Sequence, residues 1–386
     1  MLWDIFCRVI DNFGDIGVSW RLCADLSARG HSVRLWVDDS TALQWMAPGA
    51  LESHWPRIRV MPWEQSSHSE TLHRLPLADV WIEAFGCDIP EALVAHYAEQ
   101  VQRQAARTDA DSDAAAASAP KPPVWLNLEY LSAESYVERS HALLSPVMRG
   151  PAQGWSKAFY YPGFTGKTGG LLREPALASA WQTPDAAKRS AFFAQCGVAW
   201  RGEHAVSLFC YEPPLLQCLL AQLAAAPTPT LILVTAGRAS SAAQALLGAQ
   251  TQIGQLQVCY LPLLTQCDYD RLLESCDMNF VRGEDSVLRA LWAGKPFVWH
   301  IYPQHDQAHA AKLEAFMESL QLGASVRSLH RAWNGLLPAA EQVPALAALR
   351  PQALADWQSE VLTARARLFK MDDLCSQLVQ WVRNKQ

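Results

Sequence analysis

Residues 2–37 contain the stretch that decides the fold. Two segments, Leu2-Trp-Asp-Ile-Phe-Cys-Arg-Val9 and Ser32-Val-Arg-Leu-Trp-Val37, flank Gly17-Val-Ser-Trp-Arg-Leu-Cys-Ala-Asp-Leu-Ser-Ala28. The outer segments are short and rich in aromatic and β-branched residues, which predicts two strands. Between them, apolar residues recur every four positions, which predicts an amphipathic helix that Gly30 ends. A strand, a helix and a second strand in this order predict a βαβ unit with parallel strands.

The same alternation continues through the chain in two series, with the second beginning near residue 204. The other strands predicted are Ile58–Met61, Val80–Phe85, Val124–Leu128, Ala205–Tyr211, Thr230–Thr235, Gln257–Leu261, Met278–Val281 and Pro296–His300. The helices predicted in the second series are Pro214–Ala225, Asp268–Cys276, Glu284–Trp292 and Gln304–Leu320, followed by two C-terminal helices.

This order of elements predicts the α/β class and, within it, the GT-B architecture. We expect two Rossmann-like domains, residues 1–185 and 186–386, that face each other across a cleft. The C-terminus should be helical, with the last helices packing back toward the first domain. In such sheets ligands bind at the carboxyl ends of the strands, so the turns that follow the strands are where chemistry is expected.

Composition excludes several classes of protein. Half of the 386 residues are hydrophobic and 18% are charged, which argues against a disordered chain. The net charge of -6 argues against a protein that coats nucleic acid. No apolar run approaches the roughly 18 residues of a membrane span, and the N-terminus lacks a signal-peptide pattern. The ten cysteines contain no CxxC pair, which favours reduced thiols and a cytoplasmic location.

Residues 106–123 interrupt the alternation. Small, acidic and proline residues dominate this segment, which predicts a mobile insertion between a helix and a strand. Its Asp109, Asp111 and Asp113 have the spacing of calcium-loop ligands. The glycine and glutamate that such a loop also needs are missing, so no calcium site is expected.

The first turn of interest is Asp11-Asn-Phe-Gly-Asp-Ile-Gly17, directly after the first strand. Its two glycines allow a tight turn and a close approach of the backbone to a ligand. The spacing is not GxGxxG, so a dinucleotide site is not indicated. Asp11 and Asp15 place two carboxylates at the carboxyl end of the sheet. The alternative for Asp15 is a helix N-cap, a position where Asp is common.

The second turn is Arg282-Gly-Glu-Asp-Ser286, between a predicted strand and a predicted helix. Backbone N–H groups at the helix start form an anion site, to which Arg282 and Ser286 would add donors. Glu284 or Asp285 could accept hydrogen bonds from sugar hydroxyls. The alternative is a capped helix in which Arg282 pairs with a carboxylate.

Two other patterns suggest metal ligands, and we expect neither to bind a metal. Asp268-Tyr269-Asp270 has the DxD form, but it starts a helix, where acidic residues are ordinary. His305 and His309 are four residues apart on a predicted helix. No glutamate follows His305, and no third ligand is evident.

Four segments together resemble the bacterial elongation factor P arginine rhamnosyltransferases. They are residues 3–22, Ser207-Leu-Phe-Cys-Tyr-Glu212, Asp277-Met-Asn-Phe-Val-Arg-Gly-Glu-Asp-Ser286 and Pro303-Gln-x-Asp-x-Ala-His309. The resemblance implies an inverting, metal-independent GT-B glycosyltransferase without a cofactor. It implies TDP-β-L-rhamnose as the donor and one arginine on the N-terminal domain of elongation factor P as the acceptor. Neither nucleic acid nor a membrane is implied as a partner.

The resemblance also assigns roles to individual residues. The N-terminal domain would bind the acceptor, with Asp15 as the general base and Asp11 as its companion carboxylate. The C-terminal domain would bind the nucleotide sugar. Tyr269 falls where the family has an aromatic residue that stacks on thymine. The donor-binding residues implied are Asn12, Phe13, Gly14, Gly17, Phe209, Tyr211, Gln266, Tyr269, Arg282, Glu284, Asp285, Ser286 and Tyr302.

Two alternatives remain open from the residues alone. One is a nucleotide-sugar transferase or epimerase that acts on a small molecule. The other is a non-catalytic binding module in which Asp11 and Asp15 only cap a helix.

Overall fold

The computed structural model describes residues 1–10, 13–108, 121–175, 177, 184–303 and 308–385. The chain divides into two compact units. Unit 1 consists of Met1–Leu131, Ser135–Glu174 and Asp372–Gln386, and unit 2 consists of Ser132–Glu134 and Pro175–Met371. The main part of unit 1 therefore ends at residue 174 rather than at the predicted 185. The last residues of the chain also belong to unit 1.

Unit 1 is built on a sheet that has seven strands among the described residues, in the order β3-β2-β1-β4-β5-β7-β6. All neighbouring strands are parallel except β6 and β7. The strands are β1 (Leu2–Cys7), β2 (Ser32–Val37), β3 (Ile58–Pro62), β4 (Val80–Ala84), β5 (Val124–Leu128), β6 (Leu143–Pro146) and β7 (Ser156–Tyr160). The helices are α1 (Gly14–Ala28), α2 (Leu43–Met46), α3 (Ser69–Arg74), α4 (Glu91–Thr108) and α5 (Tyr136–Ser140), with a 3₁₀ helix at Trp63–Ser67.

Unit 2 contains a second sheet, in which the described strands have the order β10-β11-β9-β8-β12-β13. Its strands are β8 (His204–Leu208), β9 (Thr230–Val234), β10 (Gln252–Ile253), β11 (Leu256–Tyr260), β12 (Met278–Arg282) and β13 (Phe297–His300). Its helices are α6 (Ala186–Gln195), α7 (Leu216–Ala224), α8 (Arg238–Leu247), α9 (Gln266–Ser275), α10 (Glu284–Ala293), α11 (Ala308–Ser319), α12 (Ala324–Trp333), α13 (Ala339–Ala345) and α14 (Pro351–Leu368), with a 3₁₀ helix at Leu346–Leu349. Helix α15 (Leu374–Arg383) follows and belongs to unit 1.

Aromatic residues fill the core beneath the first sheet. Phe6, Trp36 and Trp81 are fully buried, and the Trp81 ring meets that of Trp125 edge to face at 5.3 Å. Such pairs add about 0.5–1.5 kcal/mol each beyond the burial of their surface. In α/β proteins helices cover both faces of a parallel sheet, so its strands are buried on both faces. This burial explains why these strands have continuous apolar runs.

Several predicted boundaries were wrong. Strand β1 ends at Cys7, where its pairing with β2 also ends, and α1 begins at Gly14 rather than Gly17. The strand predicted as Ala205–Tyr211 ends at Leu208, because its neighbour β9 ends at the facing residue Val234. Consequently Phe209 and Tyr211 lie in the loop after the strand.

Other elements of the fold were not predicted. Strands β6 and β7 were missed, and four helices rather than two follow α11. Helix α4 continues to Thr108, so it includes the first residues of the predicted insertion. Residues 109–120 of that insertion, with Asp109, Asp111 and Asp113, lie outside the described residues, as does His305.

Candidate active site

Arg282 lies at the carboxyl edge of the second sheet. It is the last residue of β12, which lies between β8 and β13. Because the three strands are parallel, the loop after β8 and the end of β13 meet Arg282 at this edge. Its register partner on β13 is His300.

The guanidinium of Arg282 is buried against two aromatic rings. Its central carbon lies 4.6 Å from the ring centre of Phe209 and 4.6 Å from that of Tyr211. The side chain is buried, with 5% of its surface exposed, and Nη1 has no hydrogen-bond partner. Among the described residues no carboxylate pairs with Arg282, which argues against the ion-pair alternative. A buried cation without an anion is costly, which points to an anionic ligand here.

Helix α10 begins directly after this arginine. Gly283 is its N-cap and has a φ of +72°, a value that favours glycine. Ser286 lies buried in the first turn, beside Asp285. Glu284 accepts a hydrogen bond from Lys312 Nζ at 2.6 Å, so its charge is already balanced by a cation. The N-cap Gly283 gives the first backbone N–H groups of this helix no side-chain cap, and the charge of the nearby Glu284 is balanced. Both features favour the binding of an anion at the helix start.

Tyr211 connects Arg282 to the end of β13. Its N–H donates to Nδ1 of His300 at 3.3 Å, and its ring lies 5.6 Å from that of the exposed Tyr302. Burial, together with the neighbouring charge of Arg282, lowers the pKa of His300 to about 3, so its ring is neutral at pH 7. Arg238, at the start of α8, places a second guanidinium 5.7 Å from the Tyr211 ring. Sequence reasoning missed His300 and Arg238, because His300 ends an apolar strand and Arg238 lies in no recognisable motif.

The predicted base-binding residues lie on α9. Gln266 is the first residue of this helix, which the side chain of Thr265 caps, and Tyr269 follows one turn later. The Tyr269 ring lies 5.5 Å from that of Phe209, which brings it to the same edge of the sheet. Burial raises the pKa of Tyr269, against the opposing effect of Ser286.

The two carboxylates around Tyr269 are both engaged by cations. Asp268 accepts a hydrogen bond from Thr265 Oγ1 and pairs with Arg271 at 3.2 Å. Asp270 accepts two hydrogen bonds from Arg289, at 3.0 and 2.7 Å. Both carboxylates therefore already have a cationic partner, and the expectation that the DxD pattern binds no metal stays a prediction.

In unit 1, Asp15 lies in the first turn of α1 and is 3% exposed. The helix begins at Gly14, so Asp15 is not at the N-cap position, which Phe13 occupies. Its Oδ2 accepts a hydrogen bond from the N–H of Ile10 at 2.8 Å, and its Oδ1 accepts one from the Tyr130 hydroxyl at 3.4 Å. The turn before α1 thus holds the carboxylate at the carboxyl end of β1.

The other predicted residues of this turn have mixed outcomes. The Phe13 ring packs edge to face on Trp45 at 5.1 Å. Gly14 begins the helix, and the N–H of the buried Gly17 donates to the Phe13 carbonyl at 3.0 Å. Asp11 and Asn12 lie outside the described residues. The assignment of Phe13, Gly14 and Gly17 to the donor stays a prediction.

A pair of aromatic residues, of which Tyr130 contacts Asp15, was not predicted. Phe85 follows β4 and Tyr130 follows β5, and their rings stack with centres 4.5 Å apart and an interplanar angle of 18°. The strands pair with Ala84 opposite Leu128, which places both loops at one edge of the sheet. No local motif signals this pair, because it forms only when the two strands align.

Among the described residues, one group could in principle hold a metal ion. It consists of Asp25, Asp373 and Cys375. Arg29 already donates to Asp25 at 2.8 Å and to Asp373 at 2.7 Å, so a guanidinium balances the charge of both carboxylates. We interpret this group as a structural ion-pair cluster.

No described helix is both long enough and apolar enough to cross a bilayer.

Comparison with solved structures defines the class. The chain is similar to the crystal structure of Acinetobacter baumannii MurG, with a TM-score of 0.50, 12% identity and coverage of 99% of both chains. At this identity the likeness shows the fold alone. A stronger match, with a TM-score of 0.65 and 30% identity, is to a structure described as the basis for EarP-mediated arginine glycosylation of translation elongation factor EF-P. It covers 100% of this chain and 99% of the other. The predicted GT-B fold is confirmed, and the protein is a GT-B glycosyltransferase.

Comparison of sequences defines the family. The model of the family described as Elongation-Factor P (EF-P) rhamnosyltransferase EarP matches residues 3–383, so the chain belongs to that family. A protein-arginine rhamnosyltransferase of Pseudomonas putida KT2440 is 43% identical, with 86% of each chain covered. One of Pseudomonas aeruginosa PAO1 is 40% identical, with 98% of each covered. The predicted resemblance and enzyme class are confirmed, against both alternatives left open by the sequence.

Proposed function

We propose that this enzyme transfers rhamnose from TDP-β-L-rhamnose to an arginine side chain on the N-terminal domain of elongation factor P, with inversion at the anomeric carbon. The observation that carries the donor half of the proposal is the buried Arg282, whose Nη1 has no hydrogen-bond partner among the described residues. Family membership supports the acceptor half. Because an elongation factor is the proposed substrate, we also propose that the reaction takes place in the cytoplasm.

The diphosphate of the donor would bind at the start of α10. Arg282 can donate charge-assisted hydrogen bonds to a phosphate, and the Ser286 hydroxyl and the first N–H groups of the helix add neutral donors. Phe209 and Tyr211 both contact the guanidinium and restrict its orientation. Arg238 supplies a second cation near Tyr211. Tyr269 offers an aromatic face for the thymine base.

The part of unit 1 that carries Asp15 would act on the acceptor. A guanidinium has a pKa above 12 and no free lone pair, so it is a poor nucleophile until a base grips it. Asp15 is held by the Ile10 N–H in a fixed orientation, as a general base requires. As the bond between the arginine Nη and C1 of rhamnose forms, Asp15 takes the proton from that nitrogen. The bond between C1 and the phosphate oxygen breaks, and TDP leaves with the electron pair.

No metal is needed in this scheme. Negative charge grows on the departing diphosphate, and fixed donors that are aimed at this charge stabilise the transition state. Arg282, Arg238 and the helix dipole can supply that stabilisation. Asp268 and Asp270, the residues of the DxD pattern, already pair with arginines. We therefore propose a metal-independent transfer without a cofactor.

Intact-mass analysis of elongation factor P after incubation with the enzyme and TDP-β-L-rhamnose tests the proposal. We expect a gain of one deoxyhexose residue, and NMR of the product should show an α-linked sugar, as inversion requires. Elongation factor P with lysine in place of its acceptor arginine is the matched control and should gain no mass. Transfer to a small molecule, with elongation factor P unmodified, would contradict the proposal.

A further inference from the structure

We propose that Tyr130, stacked on Phe85, is a positioning residue of the transfer reaction. Its hydroxyl would orient the Asp15 carboxylate, and its ring would provide the flat surface on which the acceptor guanidinium lies. The inference deepens the proposed function and rests on it.

The first step concerns the two oxygens of the Asp15 carboxylate. The Ile10 N–H holds Oδ2 at 2.8 Å, and the Tyr130 hydroxyl reaches Oδ1 at 3.4 Å. The contact to Oδ1 is long and therefore weak, so it favours one orientation of the carboxylate without fixing it. The Tyr130 hydroxyl is thus placed to orient Oδ1 when a guanidinium binds.

The second step concerns the position of the Tyr130 ring. Phe85 has a φ of +59°, which is uncommon for a residue other than glycine, and its N–H donates to the Leu128 carbonyl at 2.7 Å. This hydrogen bond ties the loop after β4 to the end of β5. The Phe85 ring therefore faces Tyr130, at a centre-to-centre distance of 4.5 Å. Two adjacent strands fix the aromatic pair, so its position does not depend on a ligand.

The third step concerns what the pair leaves available. Phe85 covers one face of the Tyr130 ring, yet 39% of the Tyr130 surface remains exposed. A guanidinium is planar, delocalised and weakly hydrated, and it stacks well on aromatic faces. An exposed ring whose hydroxyl contacts a buried carboxylate offers both features that bind arginine, a flat apolar face and an anion. A lysine ammonium would use the charge but gain less from the flat face.

Steady-state kinetics with elongation factor P separate the two roles of Tyr130. In Tyr130→Phe the ring remains, so we expect kcat to fall about 3- to 10-fold through loss of the hydroxyl, with KM for elongation factor P within two-fold. In Tyr130→Ala the ring is also lost, and KM should rise about 3- to 30-fold. Tyr136→Phe, an exposed tyrosine of the same unit that is 42% exposed, is the matched control and should behave as wild type.

The binding preference provides a second readout. Affinities for elongation factor P and for its variant with lysine at the acceptor position are measured by calorimetry without donor. Wild type should prefer the arginine form, and Tyr130→Ala should lose most of that preference, while TDP binding stays unchanged in every variant. Unchanged KM and preference in Tyr130→Ala, or a rise of KM in Tyr130→Phe equal to that in Tyr130→Ala, would overturn the inference. Failure of wild type to modify elongation factor P would instead overturn the proposed function.

Discussion

Arg282 and Tyr211 lie in direct contact, with the guanidinium carbon 4.6 Å from the centre of the tyrosine ring. The N–H of the same tyrosine donates to His300, the residue opposite Arg282 in the sheet. Because His300 is neutral, it accepts this hydrogen bond and holds the loop without adding a second positive charge beside Arg282. The guanidinium is thus held in place where an anion could bind.

Replacing Arg282 should therefore weaken nucleotide binding. A hydrogen bond to a charged group contributes about 1.5–3 kcal/mol, so Arg282→Ala should raise the dissociation constant for TDP roughly 10- to 150-fold. Ser286→Ala removes one neutral hydroxyl and should cost only about 0.5–1.5 kcal/mol. Titration calorimetry with TDP tests this ranking. Normal TDP binding by Arg282→Ala, with loss of elongation factor P binding, would reverse the roles given to the two units.

Replacing Asp15 should affect turnover and spare the nucleotide. Asp15→Asn retains an oxygen for the Ile10 N–H but cannot take the proton, so we expect turnover to fall by at least about 100-fold. TDP affinity should change by no more than a few-fold. Asp39→Asn, at an exposed carboxylate after β2, is the control and should keep normal turnover. Normal turnover by Asp15→Asn, or loss of TDP binding as its main effect, would contradict the assignment.

Chelation should leave the reaction intact. Because Arg282 and the start of α10 face the leaving group in our scheme, transfer should continue in excess EDTA. Asp268→Asn should also keep turnover, since among the described residues this carboxylate joins Thr265 and Arg271. Activity that is lost with EDTA and restored by magnesium or manganese would show that the DxD pattern binds a metal after all.

Unit 2 should lose stability in mild acid. Burial lowers the pKa of His300 to about 3 and that of His330 to about 4, below the usual 6.5. Between pH 6.5 and 4 these two histidines take up protons in the unfolded chain but not in the folded unit, so their contribution to stability falls as the pH falls. Each histidine contributes a slope of about 1.4 kcal/mol per pH unit.

Urea unfolding at several pH values measures this slope. His330→Phe keeps a ring in the buried position and removes one titrating group. We expect its slope to be smaller than that of wild type by about 1.4 kcal/mol per pH unit in this range. An unchanged slope would mean that His330 is protonated in the folded unit.

The last residues of the chain should contribute to the stability of unit 1 through Arg29. This side chain pairs with Asp25 on α1 and with Asp373 before α15. Arg29→Met would leave the buried Asp25 without its cation, which typically costs about 3–5 kcal/mol. Arg103→Met, which breaks an exposed pair with Glu99, should change stability by less than about 1 kcal/mol. Denaturant unfolding compares the two, and equal effects would contradict the role given to Arg29.

The sequence alone predicted the features that depend on neighbouring residues. The strand, turn and helix over residues 2–28 follow from apolar spacing and glycine positions, and the structure differs only at the boundaries. The turn from Arg282 to Ser286 is recognisable for the same reason, since a helix start after an apolar strand is a local pattern. Family membership could also be inferred, because whole segments resemble the family's own.

Only the tertiary structure decided the contacts between residues that are far apart in the chain. Phe85 meets Tyr130 because β4 and β5 pair, and Lys312 neutralises Glu284 across 28 positions of sequence. The last residues join unit 1 although unit 2 precedes them in the chain. No local pattern contains these contacts, because they arise when strand register and helix packing bring distant side chains together.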